Sequence, residues 1–127
     1  MSSDPIVFVV DDDDAAATSI RVLLMSVGLT AESFPHAAQF FSAIEKTTPD
    51  CVVLDLRMPD RGGLEVQAEL LERGLEIPTI MISGHADEEA FRRAMQNGAV
   101  ACLEKPFSGE ELCAIVQRAL ESDLDDV

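Results

Sequence analysis

Short apolar runs alternate along the chain with longer segments whose apolar residues recur at helical spacing. The short runs are rich in Val, Ile and Leu and lack polar alternation, which is typical of strands buried on both faces. The pattern predicts strands at 6–10, 29–34, 51–54, 79–82 and 100–103, and helices at 14–27, through 40–44, and at 64–73, 87–97 and 109–120. Five strand–helix units therefore account for most of the chain.

Turn-forming residues separate these elements. Gly28, Gly74 and Gly98 follow predicted helices, and Pro49 and Pro78 stand just before predicted strands. Strands that are joined by helical crossovers form parallel sheets with helices on both faces. The predicted fold is therefore an α/β fold with a doubly wound, five-stranded parallel sheet.

Length and composition favour one domain with its own core. The chain has 127 residues, of which 47% are hydrophobic. We expect the domain to cover residues 1–122, and residues 123–127 to be an acidic tail or the start of a linker. No apolar run approaches the roughly 18 residues of a membrane span, and the first residues lack the basic region of a secretory signal. A cytoplasmic location is expected.

Charge and cysteine spacing exclude further classes. The formal net charge of -15 repels phosphate backbones, so direct nucleic-acid binding is not expected, and cation binding is favoured. Cys51, Cys102 and Cys113 lack CxxC spacing, so buried thiols are expected rather than disulfides or a zinc site.

Chemically useful residues follow four of the five predicted strands. The first strand is followed by the acidic run 11–14, the third by Asp55, the fourth by Ser83 and Gly84, and the fifth by Lys105. Because ligands of doubly wound sheets bind beyond the carboxyl ends of the strands, we expect these residues to converge at one edge.

Gathered carboxylates require a cation or protonation. Two of them repel by roughly 4 kcal/mol at short range and an effective dielectric constant of about 20. Mg²⁺, with Mn²⁺ as a substitute, suits Asp12 and Asp55 as direct ligands, and Asp11 could act through water. The alternative is that the acidic run only caps the first helix, which accounts for Asp14 and applies to Asp13 as well.

Asp55 is the candidate nucleophile, because its carboxylate emerges from a buried strand into an acidic pocket. Lys105 can pair with Asp55 at rest and with a phosphoryl oxygen afterwards, and Ser83 offers a hydroxyl donor to the same group. Taken singly, Lys105 could be a surface lysine and Ser83 a turn residue.

Four signatures carry a resemblance to a known family. They are Val9-Val10-Asp11-Asp12, Leu54-Asp55-Leu56-Arg57-Met58-Pro59-Asp60, Ser83-Gly84-His85 and Glu104-Lys105-Pro106-Phe107. In this order and spacing they resemble the response regulator receiver (CheY-like) family of two-component systems, and most nearly its FixJ-type branch. The resemblance covers almost the entire chain and implies a flavodoxin-like sheet with strand order 2-1-3-4-5.

The resemblance assigns roles by position. Asp55 would be phosphorylated, and Asp11, Asp12, Asp55 and the backbone carbonyl of Arg57 would form the magnesium site. Ser83 is similar to the hydroxyl that turns toward the phosphoryl group, Gly84 to the small residue that leaves access to it, and Lys105 to the lysine that binds it. Pro106 is similar to a proline preceded by a cis bond.

Two features modify this assignment. Many receivers carry Tyr or Phe three residues before the lysine, where this chain has Cys102. Arg57 and His85 lie two residues beyond Asp55 and Ser83, at positions that in the family influence how easily water reaches the acyl phosphate.

The resemblance also implies a function and partners. A sensor histidine kinase would transfer a phosphoryl group to Asp55, and this would alter the surface of the fourth helix, fifth strand and fifth helix, which controls an output or DNA-binding domain or a separate partner. Autodephosphorylation would reset the domain. The chain would thus be a signalling domain of transcription regulation rather than an enzyme, with phosphorylation-dependent homodimerisation as a further expectation.

Two alternatives remain open. A haloacid-dehalogenase-like phosphatase uses a similar residue set, but its Asp-x-Asp motif on the first strand is matched poorly by 12–16, and this chain is short. A receiver-like docking module that is never phosphorylated is the other. An EF-hand does not account for the acidic run, because its loop glycine and terminal glutamate are missing.

Overall fold

The computed structural model describes residues 5–58, 61–84 and 87–125. Its ten elements alternate strictly between strand and helix. They are β1 (Ile6–Val10), α1 (Asp14–Ser26), β2 (Thr30–Phe34), α2 (Ala37–Ile44), β3 (Cys51–Asp55), α3 (Gly63–Glu72), β4 (Thr79–Ser83), α4 (Glu88–Gln96), β5 (Ala101–Glu104) and α5 (Gly109–Asp125). The five predicted strand–helix units are confirmed.

Observed and predicted boundaries differ by small amounts that have physical reasons. Asp55 and Ser83 are the last residues of β3 and β4, because the strand backbone pairs one residue beyond each apolar run. Helix α5 continues to Asp125, beyond the apolar residues that predicted its end at 120. The proposed domain boundary at 122 stays a prediction.

All strand pairs of the sheet are parallel, in the order β2-β1-β3-β4-β5. This order confirms the predicted doubly wound fold. The strand order reverses between β1 and β3, which is the topological switch point of the sheet. Val10 pairs with Leu54, and Asp55 pairs with Ile82, so the carboxyl ends of the three central strands lie side by side.

Each face of the sheet buries its own core. Val7 and Val9 of β1 face the side covered by α1 and α5, whereas Phe8 and Val10 face the side covered by α2, α3 and α4. This alternation places consecutive strand residues in opposite cores. The strands are consequently apolar along their whole length, which is the pattern that predicted them.

The three cysteines differ in burial, and only two of them are buried as predicted. Cys51 and Cys113 are buried, Cys102 is half-buried, and no disulfide occurs among the described residues. Burial raises the pKa of the Cys102 and Cys113 thiols above the ordinary value. No helix in the described part of the chain is long and apolar enough to cross a membrane.

Candidate phosphoryl-acceptor site

The residues predicted to converge at the carboxyl edge of the sheet do lie there. Asp11 directly follows β1, Asp55 and Ser83 end β3 and β4, and Lys105 directly follows β5. Asp11, Asp55 and Ser83 are buried, at 1%, 6% and 0% exposure. Backbone hydrogen bonds continue to hold this edge together, since Lys105 N donates to Ser83 O at 2.7 Å. The topology thus gathers side chains that are far apart in sequence.

Three carboxylates form the centre of the site. Oxygen atoms of Asp11, Asp12 and Asp55 lie within 4.8 Å of one another. Asp12 is exposed, whereas the other two are buried. The cluster therefore presents one open side to solvent above two desolvated carboxylates.

Burial raises the pKa of Asp55 from 3.8 to about 6, and the negative charge of the neighbouring Asp11 contributes to this rise. The backbone N–H of Arg57, which donates to Asp55 Oδ1 at 3.1 Å, and the positive charge of Lys105 act in the opposite direction. Because the desolvation and the Asp11 charge prevail, Asp55 is destabilised in its charged form. Any added cation would relieve this destabilisation.

Lys105 pairs with Asp11 in the resting site. Its Nζ lies 3.3 Å from Asp11 Oδ2 in a salt bridge, whereas the sequence indicates Asp55 as a group with which it can pair. The charge of Lys105 also acts on Asp55, where it lowers the pKa. The Asp11 side chain has no exposed surface, so its carboxylate has the stronger need of a direct cation. The Lys105–Pro106 bond is cis, as the resemblance implies.

The acidic run 11–14 divides between two tasks. Asp13 is the N-cap of α1, and its Oδ1 accepts hydrogen bonds from Ala15 N at 3.0 Å and Ala16 N at 3.2 Å. Asp14 lies in the first helical turn. The capping alternative is therefore correct for the second half of the run, while Asp11 and Asp12 face Asp55.

Ser83 is the buried last residue of β4, and Gly84, which follows it, is exposed. Gly84 has no positive φ, and a Cβ built on it would meet no atom within 4 Å among the described residues beyond its chain neighbours. Cys102, at the position where many receivers carry an aromatic residue, donates from Sγ to Phe91 O of α4 at 3.7 Å.

Other glycines near the site have a packing role that sequence reasoning missed. A Cβ on Gly62 would lie 2.4 Å from the Leu56 carbonyl oxygen, and one on Gly63 would lie 2.8 Å from Met81 Sδ and 3.0 Å from the Asp55 carbonyl oxygen. The Gly-Gly pair lets α3 begin directly against the end of β3. The doubled glycine is the only sign of this contact in the sequence, and by itself it indicates no more than a helix start.

An ion pair between Arg57 and Asp87 was also missed by sequence reasoning. No short-range pattern indicates it, because the two residues are 30 positions apart. Three residues of the quoted signatures, Pro59, Asp60 and His85, lie outside the described residues.

Comparison with known proteins identifies the family of this chain. The family described as "Response regulator receiver domain" matches residues 7–117. The chain belongs to this family. This membership supports a phosphoryl-accepting role, and the phosphatase alternative is not favoured.

Similar proteins support this membership and are longer than this chain. The chain is 39% identical over 116 residues to the response regulator protein TodT of Pseudomonas putida, covering 91% of the chain and 51% of TodT. It is 36% identical over 115 residues to the DNA-binding transcriptional regulator NtrC of Escherichia coli, covering 91% of the chain and 24% of NtrC. The receiver therefore spans about half the length of TodT and less of NtrC.

The fold is similarly matched by solved structures. The crystal structure of FixJ-N aligns with a TM-score of 0.87 at 32% identity, covering 94% of this chain and 96% of that one. The FixJ-type resemblance of the sequence signatures agrees with this likeness in structure.

Proposed function

We propose that Asp55 is the residue of this receiver that accepts the phosphoryl group. The observation that carries the proposal is the convergence of Asp11, Asp12, Asp55 and Lys105 at the carboxyl edge, with Asp55 buried but opening toward solvent at Asp12. The Asp55 carboxylate would attack the phosphorus of a phosphohistidine on a sensor histidine kinase, and the histidine would leave.

The same residues fit a divalent cation. Three carboxylates whose oxygens lie within 4.8 Å form the hard donor set that Mg²⁺ prefers, and Mn²⁺ accepts the same ligands. Asp12, Asp55 and the backbone carbonyl of Arg57 would hold the ion, with Asp11 assisting through water. When bound, the ion supplies positive charge that offsets the repulsion among the carboxylates and the charge of the incoming phosphoryl group.

The remaining residues bind and position the phosphoryl group. Lys105 lies against Asp11 at 3.3 Å, and from there its flexible side chain can reach a phosphoryl oxygen at Asp55. Ser83 would donate its hydroxyl to another oxygen, and Gly84 keeps the approach open because it carries no side chain. Hydrolysis of the acyl phosphate by water would reset the domain.

Signalling would pass through the surface formed by α4, β5 and α5. The phosphoryl group adds charge and acceptor oxygens beside Ser83, which ends β4 next to that surface. The output would be a DNA-binding domain in the same chain, as the longer relatives suggest, or a separate partner in the cytoplasm. Phosphorylation-dependent dimerisation would use the same surface, and an unchanged sedimentation profile after phosphorylation would contradict it.

The acceptor role is tested by intact-mass spectrometry after incubation with acetyl phosphate. We expect one phosphoryl group to be added to the native chain when Mg²⁺ is present, and none when EDTA replaces it. Asp55→Asn should remain unmodified. Asp50→Asn is the matched control, because it removes one negative charge at the opposite edge of the sheet, and it should be modified like the native chain.

Other outcomes would change the proposal. Modification of Asp55→Asn would mean that another carboxylate is the acceptor. Absence of modification in every chain would indicate the remaining alternative, a docking module that is never phosphorylated.

A further inference from the structure

One loop connects the proposed magnesium ligand at Arg57 to the start of α3. This β3–α3 loop consists of residues 56–62, and Arg61 lies close to its end. The start of the loop is held by the sheet, because Leu56 N donates to Ile82 O of β4 at 2.7 Å. At the end of the loop, the side chain of Arg61 makes contacts with both α2 and α3.

The Arg61 guanidinium contacts one residue on each of these helices. Its Nη1 donates to Glu69 Oε1 of α3, and its Cζ lies 5.2 Å from the ring centroid of Phe41, a buried residue of α2. Hydrogen bonds from Arg61 and then from Arg73 lower the pKa of Glu69 below its ordinary value, so this carboxylate is charged at neutral pH. A charged hydrogen bond and a cation–π contact thus attach the loop to both helices.

Arg73 makes the same two kinds of contact from a different part of the chain. It is the C-cap of α3, its Nε and Nη2 donate to Glu69 Oε2 at 3.0 and 2.6 Å, and its Cζ lies 4.5 Å from the Phe41 ring centroid. The side chains of Arg61 and Arg73 are also similarly exposed, at 37% and 36%. The two arginines therefore share their partners and differ in attachment, since only Arg61 belongs to the β3–α3 loop.

We propose that Arg61, held by Glu69 and Phe41, is a positioning residue that keeps the backbone carbonyl of Arg57 at the magnesium site. It acts through the backbone of the β3–α3 loop and is not itself a ligand. The inference rests on the magnesium site of the proposed function. When the guanidinium is released, the loop spends part of its time with the carbonyl away from the site, and the apparent Kd for Mg²⁺ rises as the competent fraction falls.

Titration of ¹⁵N-labelled chains with MgCl₂, followed by two-dimensional NMR without any phosphoryl donor, tests the inference. We expect Arg61→Gln and Glu69→Gln each to raise the Kd for Mg²⁺ about two- to fivefold, the range for loss of an exposed ion pair. The two variants change the net charge in opposite directions. A rise in both therefore cannot come from the altered charge, because loss of a positive charge alone would make cation binding tighter.

Arg73→Gln is the matched control. It removes the same charge from the same partners as Arg61→Gln, but it leaves the β3–α3 loop attached through Arg61. Its Kd for Mg²⁺ should equal that of the native chain. Urea denaturation of all chains measures the stability that each substitution costs, so that an effect on Mg²⁺ binding can be distinguished from a general loosening of the contact between α2 and α3.

The outcomes separate this inference from the proposal beneath it. An unchanged or lower Kd in Arg61→Gln or Glu69→Gln would overturn the positioning role while the native chain still binds Mg²⁺. A Kd that rises equally in Arg73→Gln, or in proportion to lost stability in all three variants, would overturn it as well. Failure of the native chain to bind Mg²⁺ would instead overturn the proposed magnesium site, and the inference with it.

Discussion

At the amino edge of the sheet an aspartate accepts a hydrogen bond from the backbone, whereas at the carboxyl edge two buried aspartates lie beside each other. Asp50 accepts a hydrogen bond from Ile6 N at 2.8 Å, and its own N–H donates to Ile6 O at 2.8 Å. It is exposed, and it joins the starts of β1 and β3. Asp11 and Asp55, at the other ends of the same two strands, are buried beside each other.

The comparison distinguishes an aspartate that stabilises the fold from a pair of aspartates that destabilise it. A solvated carboxylate that satisfies backbone N–H groups adds stability. Two desolvated carboxylates within 4.8 Å of each other lower it, as the raised pKa of Asp55 indicates. Clustered charge that weakens the fold is typical of functional sites, and here it marks the carboxyl edge.

Removal of Lys105 should have the largest effect on stability. Lys105→Met takes the cation away from Asp11, whose side chain has no exposed surface. We expect the free energy of unfolding at pH 7 to fall by about 3 kcal/mol, the loss typical of a buried charge that loses its partner. Urea denaturation measures it. Millimolar Mg²⁺ should restore part of the loss, and a stability equal to that of the native chain would contradict the assigned role of the salt bridge.

Neutralisation of Asp55 should raise stability. The pKa of Asp55 is about 6 in the folded chain, against 3.8 for an ordinary aspartate side chain, so the folded state binds the proton more tightly than the unfolded state does. The contribution of Asp55 to the free energy of unfolding therefore falls as the pH rises from about 4 to 6 and remains low above that range. Asp55→Asn removes this loss, and we expect it to be up to about 3 kcal/mol more stable at pH 7.

The pH dependence gives the sharper measurement of the same change. The stability difference between Asp55→Asn and the native chain should shrink toward zero as the pH is lowered to about 4, because the native carboxyl group then takes up its proton. Urea denaturation at several pH values in EDTA measures it. A difference that is equal at pH 4 and pH 7 would show that the gain comes from packing rather than from charge.

The fold, and the residues that meet at the carboxyl edge, could be predicted because both follow from patterns along the chain. Apolar runs reveal strands, and parallel topology brings the carboxyl ends of β1, β3, β4 and β5 to the same edge. The resting partner of Lys105 could not be predicted. It depends on which of two adjacent carboxylates has less contact with water, and this is decided by packing at the scale of one atom.

The close contacts around α3 and α4 escaped prediction for a similar reason. The glycine pair 62–63 indicates a helix start, yet its necessity comes from the carbonyl groups of Leu56 and Asp55. The Arg57–Asp87 pair joins two loops whose approach depends on how α3 and α4 pack on the sheet. Such contacts are tertiary, and no periodicity in the sequence records them.

Crowding of the carboxyl edge should be sensitive to a single methyl group. Gly62→Ala would place a Cβ 2.4 Å from the Leu56 carbonyl oxygen, and backbone must move to relieve this contact. We expect a loss of about 1–3 kcal/mol in the free energy of unfolding, as for other overpacked sites. Gly84→Ala is the matched control, because its Cβ would have no described atom within 4 Å outside the neighbouring residues, and it should change stability by less than about 0.5 kcal/mol. Equal losses in the two variants would contradict the packing explanation.

The smallest effect should come from neutralising the aspartate of the amino edge. Asp50→Asn keeps an oxygen that can accept from Ile6 N and loses only the charge of an exposed group. We expect stability to change by about 0.5 kcal/mol or less, as for other exposed positions. The same substitution at Asp55 should give a larger gain that depends on pH. If Asp50→Asn stabilised the chain as much as Asp55→Asn, the gain would reflect relief of the overall net charge of -15, and the contrast between the two edges would not hold.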